Sequence, residues 1–306
     1  MKEFKKVNIQ NIKKATEGWS IETTPKAALK IENFADYLPP NTTVNVTCLP
    51  GSDPIETIQT AEQLKNDGMN AVPHIAARSL VDHNELDILL KELVSKASVT
   101  EVLIIGGGGK KQIGQFSDSI AVIKTGLLQK HGITKIGVAG HPEGSADISD
   151  EKLKTALLEK NEIAKAEGLD MYVETQFCFD PEIVLNWERR IRMDGNKLPV
   201  HVGIPGPATI KALFRFARLS GIGNSMSFLT KQARNVTKLL TIQSPDALLS
   251  GLSKGIEKDK NCLIENFHFY PFGGFAETAS YINFIMTGDA LNHLDKDDNV
   301  KNKLAG

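Results

Sequence analysis

Short apolar runs alternate with longer amphipathic stretches along almost the whole chain. The runs are rich in β-branched residues and stop at glycine, proline or a polar residue, which is typical of strands buried in a parallel sheet. The stretches between them repeat Leu, Ile and Ala every three to four residues, which predicts helices with one apolar face. The predicted strands cover residues 19–24, 43–49, 71–77, 101–105, 135–139, 171–173, 198–204 and 261–269.

Helices are predicted between these strands. They cover residues 54–67, 82–98, 116–131, 181–193, 208–219 and 275–286, with a long charged helix that ends at Gly168. Eight strands alternating with helices predict an α/β fold, a (β/α)8 TIM barrel that forms a single domain over residues 1–306. A leading segment (1–17), a helical insertion before the last strand (225–258) and a polar tail (288–306) complete the predicted organisation.

Composition and charge exclude several classes of protein. The 306 residues carry 36 Lys and Arg against 37 Asp and Glu, so neither a nucleic-acid footprint nor a polybasic membrane anchor is expected. No apolar run approaches the roughly 20 residues that span a bilayer, and the first residues lack the apolar core of a signal peptide. Cys48, Cys178 and Cys262 lack metal-binding spacing and are interpreted as buried free thiols, which predicts a cytoplasmic protein.

Polar residues and glycines follow the predicted strands, where a parallel barrel gathers its functional side chains at one mouth. They are Glu22, Thr47, His74, residues 106–109, His141, Gln176, the Pro205-Gly206 turn and Tyr270. Each alone has an ordinary structural explanation, and only their repeated placement indicates a site.

The chemistry of these residues favours an organic cofactor. His74 and His141 would need Glu22 or the distant His268 as a third metal ligand, so no metal is expected. No nucleophile elbow is present, and the glycines at 106–109 lack the G-x-G-x-x-G spacing of a dinucleotide-binding sheet. Glycine-loop amides, neutral polar side chains and a single acid suit a large organic cofactor.

Six short motifs together resemble the methylenetetrahydrofolate reductase family. They are residues 21–25 (IETTP), 46–47 (VT), 73–75 (PHI), 141–144 (HPEG), 175–180 (TQFCFD) and 268–270 (HFY). Each lies on the strand, or just after it, where the family carries its counterpart. The motifs are specific as a set, and the resemblance covers nearly the whole chain.

The resemblance implies a flavin-binding barrel that reduces 5,10-methylenetetrahydrofolate to 5-methyltetrahydrofolate with NAD(P)H. Glu22 would be the general acid, with a pKa raised by partial burial, and would bind folate together with Gln176 and Tyr270. FAD would be held by Thr47, His74, Ile105, Gly106, Gly107, Gly108, Ala139, His141 and Lys160, with Lys165 as an alternative to Lys160. A homo-oligomer is expected, whereas the choice between NADH and NADPH is left open.

Two departures from the family pattern keep alternatives open. The family usually has an Asp close to the flavin where this chain has Gly108, and many members carry an Arg where this chain has residues 272–275 (FGGF). Loss of a nearby carboxylate should raise the flavin potential, which favours oxidation of methyltetrahydrofolate. The alternatives are therefore a divergent paralogue that oxidises methyltetrahydrofolate or uses another electron donor, and a folate- or flavin-binding subunit with little activity alone.

Overall fold

The computed structural model of the chain describes residues 9–107, 112–219 and 242–287. Within these ranges eight parallel strands close into a barrel, and two very short strands form a separate antiparallel ladder. The barrel strands are β1 (Ser20–Thr23), β2 (Thr43–Val46), β3 (Asn70–Ala76), β4 (Glu101–Ile105), β5 (Lys135–Gly140), β6 (Asp170–Phe177), β7 (Val200–Pro205) and β10 (Ile264–Tyr270). The ladder joins β8 (Ala208–Thr209) to β9 (Ile242–Gln243). Consecutive barrel strands are neighbours and β10 lies between β7 and β1, so the predicted TIM barrel is confirmed.

Helices alternate with the barrel strands. They are α1 (Ile9–Thr16), α2 (Pro25–Ala28), α3 (Pro54–Asn66), α4 (His83–Ala97), α5 (Ser119–Ile123), α6 (Leu127–Lys130), α7 (Asp150–Glu167), α8 (Pro181–Met193), α9 (Ile210–Leu219), α10 (Asp246–Lys258) and α11 (Phe275–Thr287). Across the three described ranges, none of these helices has both the length and the hydropathy to cross a bilayer.

Aspartates begin several helices on the mouth side of the barrel. The side chains of Asp53, Asp82, Asp118 and Asp180 accept hydrogen bonds from backbone N–H groups in the first turns of α3, α4, α5 and α8. Such an N-cap contributes about 1 kcal/mol of helix stability. Because each helix follows the carboxyl end of a strand, these caps also fix the loops that border the mouth.

Several predicted bounds are wrong. Strand β6 continues to Phe177, well beyond residue 173, whereas β2 stops at Val46. The helix predicted over 116–131 is two short helices, because Gly126 between them adopts a left-handed conformation with φ of 71°. Residues 208–209 belong to β8 rather than to the following helix.

The predicted flanking segments are only partly within the described residues. Helix α1 lies in the leading segment, and α10 forms the second half of the insertion, whereas residues 1–8, 220–241 and 288–306 lie outside the described ranges. The boundaries 1–17, 225–258 and 288–306 therefore stay predictions. All three cysteines are free, but only Cys178 is buried, while Cys48 and Cys262 are partly exposed.

The two faces of the barrel strands differ in character. Outward residues such as Val44, Ile104, Val138 and Phe267 are fully buried and form one apolar core with the surrounding helices. Inward residues are largely polar, although a barrel interior is usually filled by Val, Ile and Leu. Buried polar residues of the barrel strands include Ser20, Asn45, Glu174, His201 and His268. The polar interior opens at the carboxyl ends of the strands.

Candidate active site

Three of the predicted site residues lie side by side at the ends of the first barrel strands. Glu22 lies in β1 and pairs in register with Asn45 of β2. Thr47 directly follows β2, and its hydroxyl donates a hydrogen bond to the carbonyl of Thr23 at 3.1 Å. His74 of β3 places Nε2 3.3 Å from the side-chain nitrogen of Asn45. The structure therefore brings these residues to one edge of the mouth.

Glu22 is an acid held in its protonated form. Its side chain is 16% exposed, and burial raises its pKa to about 8, in agreement with the raised pKa expected from the sequence. The carboxyl group consequently keeps its proton at neutral pH and can donate it to a ligand in the mouth. The side chain that faces it is His268, whose Nε2 lies 3.9 Å from Oε2 of Glu22.

A second carboxyl group lies deeper in the barrel. Glu174 of β6 is 3% exposed, and its Oε1 accepts a hydrogen bond of 2.8 Å from the side chain of Asn45. His268 stands between the two acids, with Nδ1 3.6 Å from Oε2 of Glu174 and 2.8 Å from the hydroxyl of Ser20. The prediction of a single carboxylate was therefore wrong, as was the description of His268 as distant.

The sequence contains a period-two pattern that places Glu174 within a strand. The apolar Met171, Val173 and Phe177 lie at odd positions and Glu174 and Gln176 at even ones, and this period of two indicates a strand that continues past residue 173. The register between β6 and β7 shifts after Glu174, and the hydroxyl of Thr175 accepts a hydrogen bond of 2.8 Å from the Gly203 N–H. Such irregularities redirect side chains near functional sites. Gln176 follows directly and is partly exposed.

The buried histidines of the barrel are neutral. Burial and the nearby His268 lower the pKa of His74 to about 3, and burial with Lys135 and His268 lowers that of His201 to about 3. Burial and Lys160 lower the pKa of His141. At the mouth, His74 and His141 can therefore exchange neutral hydrogen bonds with a ligand but add no positive charge.

The ends of β4 and β5 provide open backbone. Ile105, Gly106, Gly107 and Ala139 are all partly exposed there, whereas Gly108 lies outside the described residues. A methyl group added to Gly106 would meet no atom within 4 Å, and Gly107 has a φ of 94°, where a side chain would be strained. A cavity of about 290 Å³ lies beside β3, α3 and α4, and its lining residues include Cys48, His74 and Ala76. The free space at Gly106 leaves room for a ligand close to backbone amides.

Lys160 is a buried cation on helix α7. Lys160 is 8% exposed, and burial lowers the pKa of its ammonium group. The negative charges of Asp118 and Glu159 partly offset this shift. Among the residues that the structure describes, no carboxylate oxygen lies within 4.0 Å of the Lys160 ammonium nitrogen, the distance limit for an ion pair. A buried ammonium without a close counter-ion is costly, so this position suits an anionic ligand. Lys165, the alternative, is exposed.

Aromatic rings form the opposite wall of the mouth. Tyr270 donates its hydroxyl hydrogen to the carbonyl of Thr175 at 3.0 Å, and its ring lies 5.3 Å from that of Phe177. Phe272 stacks on Phe216 at 4.5 Å between ring centroids. The sequence did not single out Phe177 or Phe216, because apolar residues in a strand and a helix are usually core. The wall offers flat apolar surface to a planar ligand.

The donor groups of the site do not form a metal centre. Within the described ranges, no three His, Cys, Asp or Glu side chains are arranged to hold a metal ion. Neutral imidazoles, open glycine backbone, a buried cation and aromatic rings are instead the groups that bind a large organic molecule with an anionic part.

The model of the family described as methylenetetrahydrofolate reductase matches residues 22–270 of this chain. The match begins at Glu22 and ends at Tyr270, and so spans every strand of the barrel apart from the first residues of β1. The chain belongs to the methylenetetrahydrofolate reductase family. This confirms the resemblance found in the six motifs.

Two solved structures are similar to this chain at a low level. One is a Clostridium thermocellum protein described as binding two copies of 5-methyl-5,6,7,8-tetrahydrofolic acid, at 13% identity and a TM-score of 0.48, with 89% of this chain and 99% of that chain covered. Another is a Yersinia pestis DHPS with a pterine-sulfa conjugate, at 10% identity and a TM-score of 0.45, covering 88% and 92%. Similarity at this level carries no conclusion about ligands.

The raised pKa of Glu22 predicts how the free energy of unfolding of this reductase-family barrel depends on pH. Because the folded protein keeps a proton up to about pH 8 that the unfolded chain loses near 4.5, Glu22 should lower the free energy of unfolding as pH rises between these values. Glu22→Gln removes this titration. The variant should therefore gain stability relative to the parent from pH 5 to pH 8, by at most about 1.4 kcal/mol per pH unit.

Urea unfolding of the ligand-free protein at both pH values measures this difference. Glu92→Gln is the control, because Glu92 is paired with Lys96 at 2.9 Å and its pKa is lowered, so it stays ionised throughout this range. Its offset from the parent should be constant. An equally constant offset for Glu22→Gln would mean that Glu22 is ionised at neutral pH in the folded protein.

Proposed function

We propose that the chain is a flavin-dependent oxidoreductase of folate one-carbon metabolism. The reaction is the reduction of 5,10-methylenetetrahydrofolate to 5-methyltetrahydrofolate at the expense of NAD(P)H. Membership of the methylenetetrahydrofolate reductase family supports this proposal. The observation that carries it within the site is Glu22, an acid whose pKa of about 8 keeps it protonated at the mouth of the barrel.

The residues on one side of the mouth suit FAD as the cofactor. Gly106 leaves room for a ligand against the backbone, and Lys160 would offer its buried ammonium to the diphosphate. Thr47, His74, Ile105, Ala139 and His141 would complete the cofactor contacts, with Gly108 as a further one outside the described residues. A bound flavin supplies the capacity to accept and donate hydride.

The acid and its neighbours would act on the folate. Glu22 would donate its proton to the folate nitrogen that leaves as the methylene bridge opens, which produces an iminium that can accept hydride. Gln176 would bind the pterin by hydrogen bonds, and Tyr270 would present its ring at the side of the substrate. The aromatic wall would exclude water from the reacting atoms.

Several further properties are proposed on the sequence alone. They are a homo-oligomeric assembly, a cytoplasmic location and the absence of a nucleic-acid or membrane partner, consistent with a formal net charge of −1. The mouth gives no basis for choosing between NADH and NADPH.

Replacement of the acid tests the proposed reaction. Glu22→Gln should leave reduction of the bound flavin by NAD(P)H within about twofold of the parent, since no proton from Glu22 enters that step. Reoxidation by methylenetetrahydrofolate should slow by about 10²- to 10⁴-fold, the usual contribution of general acid catalysis. Anaerobic stopped-flow absorbance resolves the two half-reactions. Unchanged reoxidation would remove Glu22 from the mechanism.

The lysine assignment gives a second prediction. Lys160→Met should weaken FAD binding by about 10- to 100-fold, because a charge-assisted hydrogen bond contributes about 1.5–3 kcal/mol. Lys165→Met, the matched control on the same helix, should bind FAD as the parent does because Lys165 is exposed. Titration of the apoprotein with FAD measures both dissociation constants. The opposite ranking would move the cofactor contact to Lys165.

A further inference from the structure

Two buried acids of the barrel are connected by one imidazole. Nε2 of His268 lies 3.9 Å from Oε2 of Glu22, and Nδ1 lies 3.6 Å from Oε2 of Glu174. The three side chains come from β10, β1 and β6 and meet inside the barrel. Each distance is somewhat longer than a hydrogen bond, as is common before a substrate tightens a site.

The Nε2 atom of His268 has no partner of its own. It is a buried polar atom without a hydrogen bond to any described residue, on a side chain with no exposed surface. Leaving such a buried group unpaired destabilises the fold, so its persistence needs an explanation. The carboxyl of Glu22 is the acidic group that faces this nitrogen.

We propose that Glu22, His268 and Glu174 form a proton relay, in which Glu174 returns a proton to Glu22 through His268 after Glu22 has protonated the substrate. The relay assigns a role to two buried residues that the proposed reaction does not use. It rests on the proposed function only for the acid role of Glu22.

The relay moves one proton and leaves the imidazole neutral. Glu22 starts as a carboxylate after its donation, while His268 carries hydrogen on Nε2 and Glu174 is protonated. The Nε2–H bond breaks as an O–H bond forms on Glu22, and the O–H bond of Glu174 breaks as an N–H bond forms on Nδ1. His268 changes from one neutral tautomer to the other, and the negative charge moves from Glu22 to Glu174.

The neighbouring groups permit both states. Asn45 donates to Oε1 of Glu174 at 2.8 Å and so holds that carboxyl, while Oε2 faces the histidine. The hydroxyl of Ser20, 2.8 Å from Nδ1, can donate to the bare nitrogen or accept from Nδ1–H. Its rotation lets it satisfy Nδ1 of His268 in either tautomer.

The electrostatic surroundings disfavour charge on the relay groups before the reaction. Burial raises the pKa of Glu174, as it does for Glu22, and lowers the pKa of His268 against the attraction of Glu174. The other titratable groups near the relay are His74 and His201, whose pKa values His268 helps to lower, and Tyr172 and Tyr270, whose pKa values Glu174 helps to raise. Glu101, farther along the interior, adds to the raised pKa of Glu174.

Moving the charge away from the mouth has a purpose in the proposed reaction. A carboxylate next to the substrate iminium stabilises that cation and can take its proton back. When the charge is on Glu174, both effects weaken, since His268 separates Glu174 from the substrate. The relay therefore commits the proton to the folate before hydride arrives.

The first test follows the tautomer of His268 in the ligand-free protein. The protein has seven histidines, and nitrogen NMR of a ¹⁵N-histidine-labelled sample distinguishes the two neutral tautomers of each imidazole. The signal of His268 is the one that disappears in His268→Gln. As pH rises through the ionisation of Glu174, His268 should change from the Nε2–H to the Nδ1–H tautomer without becoming cationic. Glu174→Gln should abolish the change. A single tautomer throughout the pH range in the parent protein would overturn the relay.

The second test is kinetic. In single-turnover reoxidation by methylenetetrahydrofolate, Glu174→Gln and His268→Gln should each react at least about tenfold more slowly, with nicotinamide reduction unchanged. His201→Gln is the matched control, because His201 is an equally buried barrel histidine whose ring stacks on Tyr172 at 4.0 Å. It should react within about twofold of the parent. Equal slowing in all three variants would indicate a structural role and would overturn the proposal.

The two tests separate failure of the relay from failure of the proposed function. A tautomer change without any folate turnover would keep the proton coupling and reject the reaction. Folate turnover with a fixed tautomer would keep the reaction and reject the relay. If Glu174→Gln does not fold, the titration of the parent protein still decides, because it needs no variant of Glu174.

Discussion

The site depends on pairing among the polar side chains inside the barrel, and the hydrogen bond between Asn45 and Glu174 is the clearest example. It joins β2 to β6 across the barrel at 2.8 Å, in an interior where apolar side chains usually fill the space. Polar groups enclosed there must pair with one another because water is largely excluded. The paired interior then surrounds Glu22 with little solvent, and its pKa rises to about 8 as a consequence.

The same exclusion of water explains the contrast between the two sides of the mouth. On one side, burial keeps the carboxyl of Glu22 protonated and the histidines neutral, so protons can move with little separation of charge. On the other side, the ammonium group of Lys160 has no close carboxylate among the described residues. This position suits an anionic ligand. Acid chemistry and anion binding are thus kept apart by the barrel strands, and the outward apolar faces supply the stability that both require.

The sequence was sufficient for the fold and for the edge of the site. Alternation of strands and helices predicted the closed barrel, and the residues after the strands placed Glu22, Thr47 and His74 at the mouth. Sequence-based prediction of element boundaries was wrong where the local pattern of residues and the backbone geometry disagree. The left-handed Gly126 divides a helix that periodicity joins, and the continuation of β6 carries Glu174 into the interior. Contacts such as Ser20 with His268, 248 residues apart, depend on closure and leave no local signal.

We propose above that this barrel is a folate reductase that works through a flavin and a protonated Glu22. Anaerobic visible spectroscopy of the purified protein, supplemented with FAD, tests it most directly. NADH or NADPH should bleach the flavin absorbance, and 5,10-methylenetetrahydrofolate should restore it. Bleaching by methyltetrahydrofolate alone would indicate the oxidising paralogue, and a flavin that no nicotinamide bleaches would indicate a binding subunit. A protein that takes up no flavin would contradict the account.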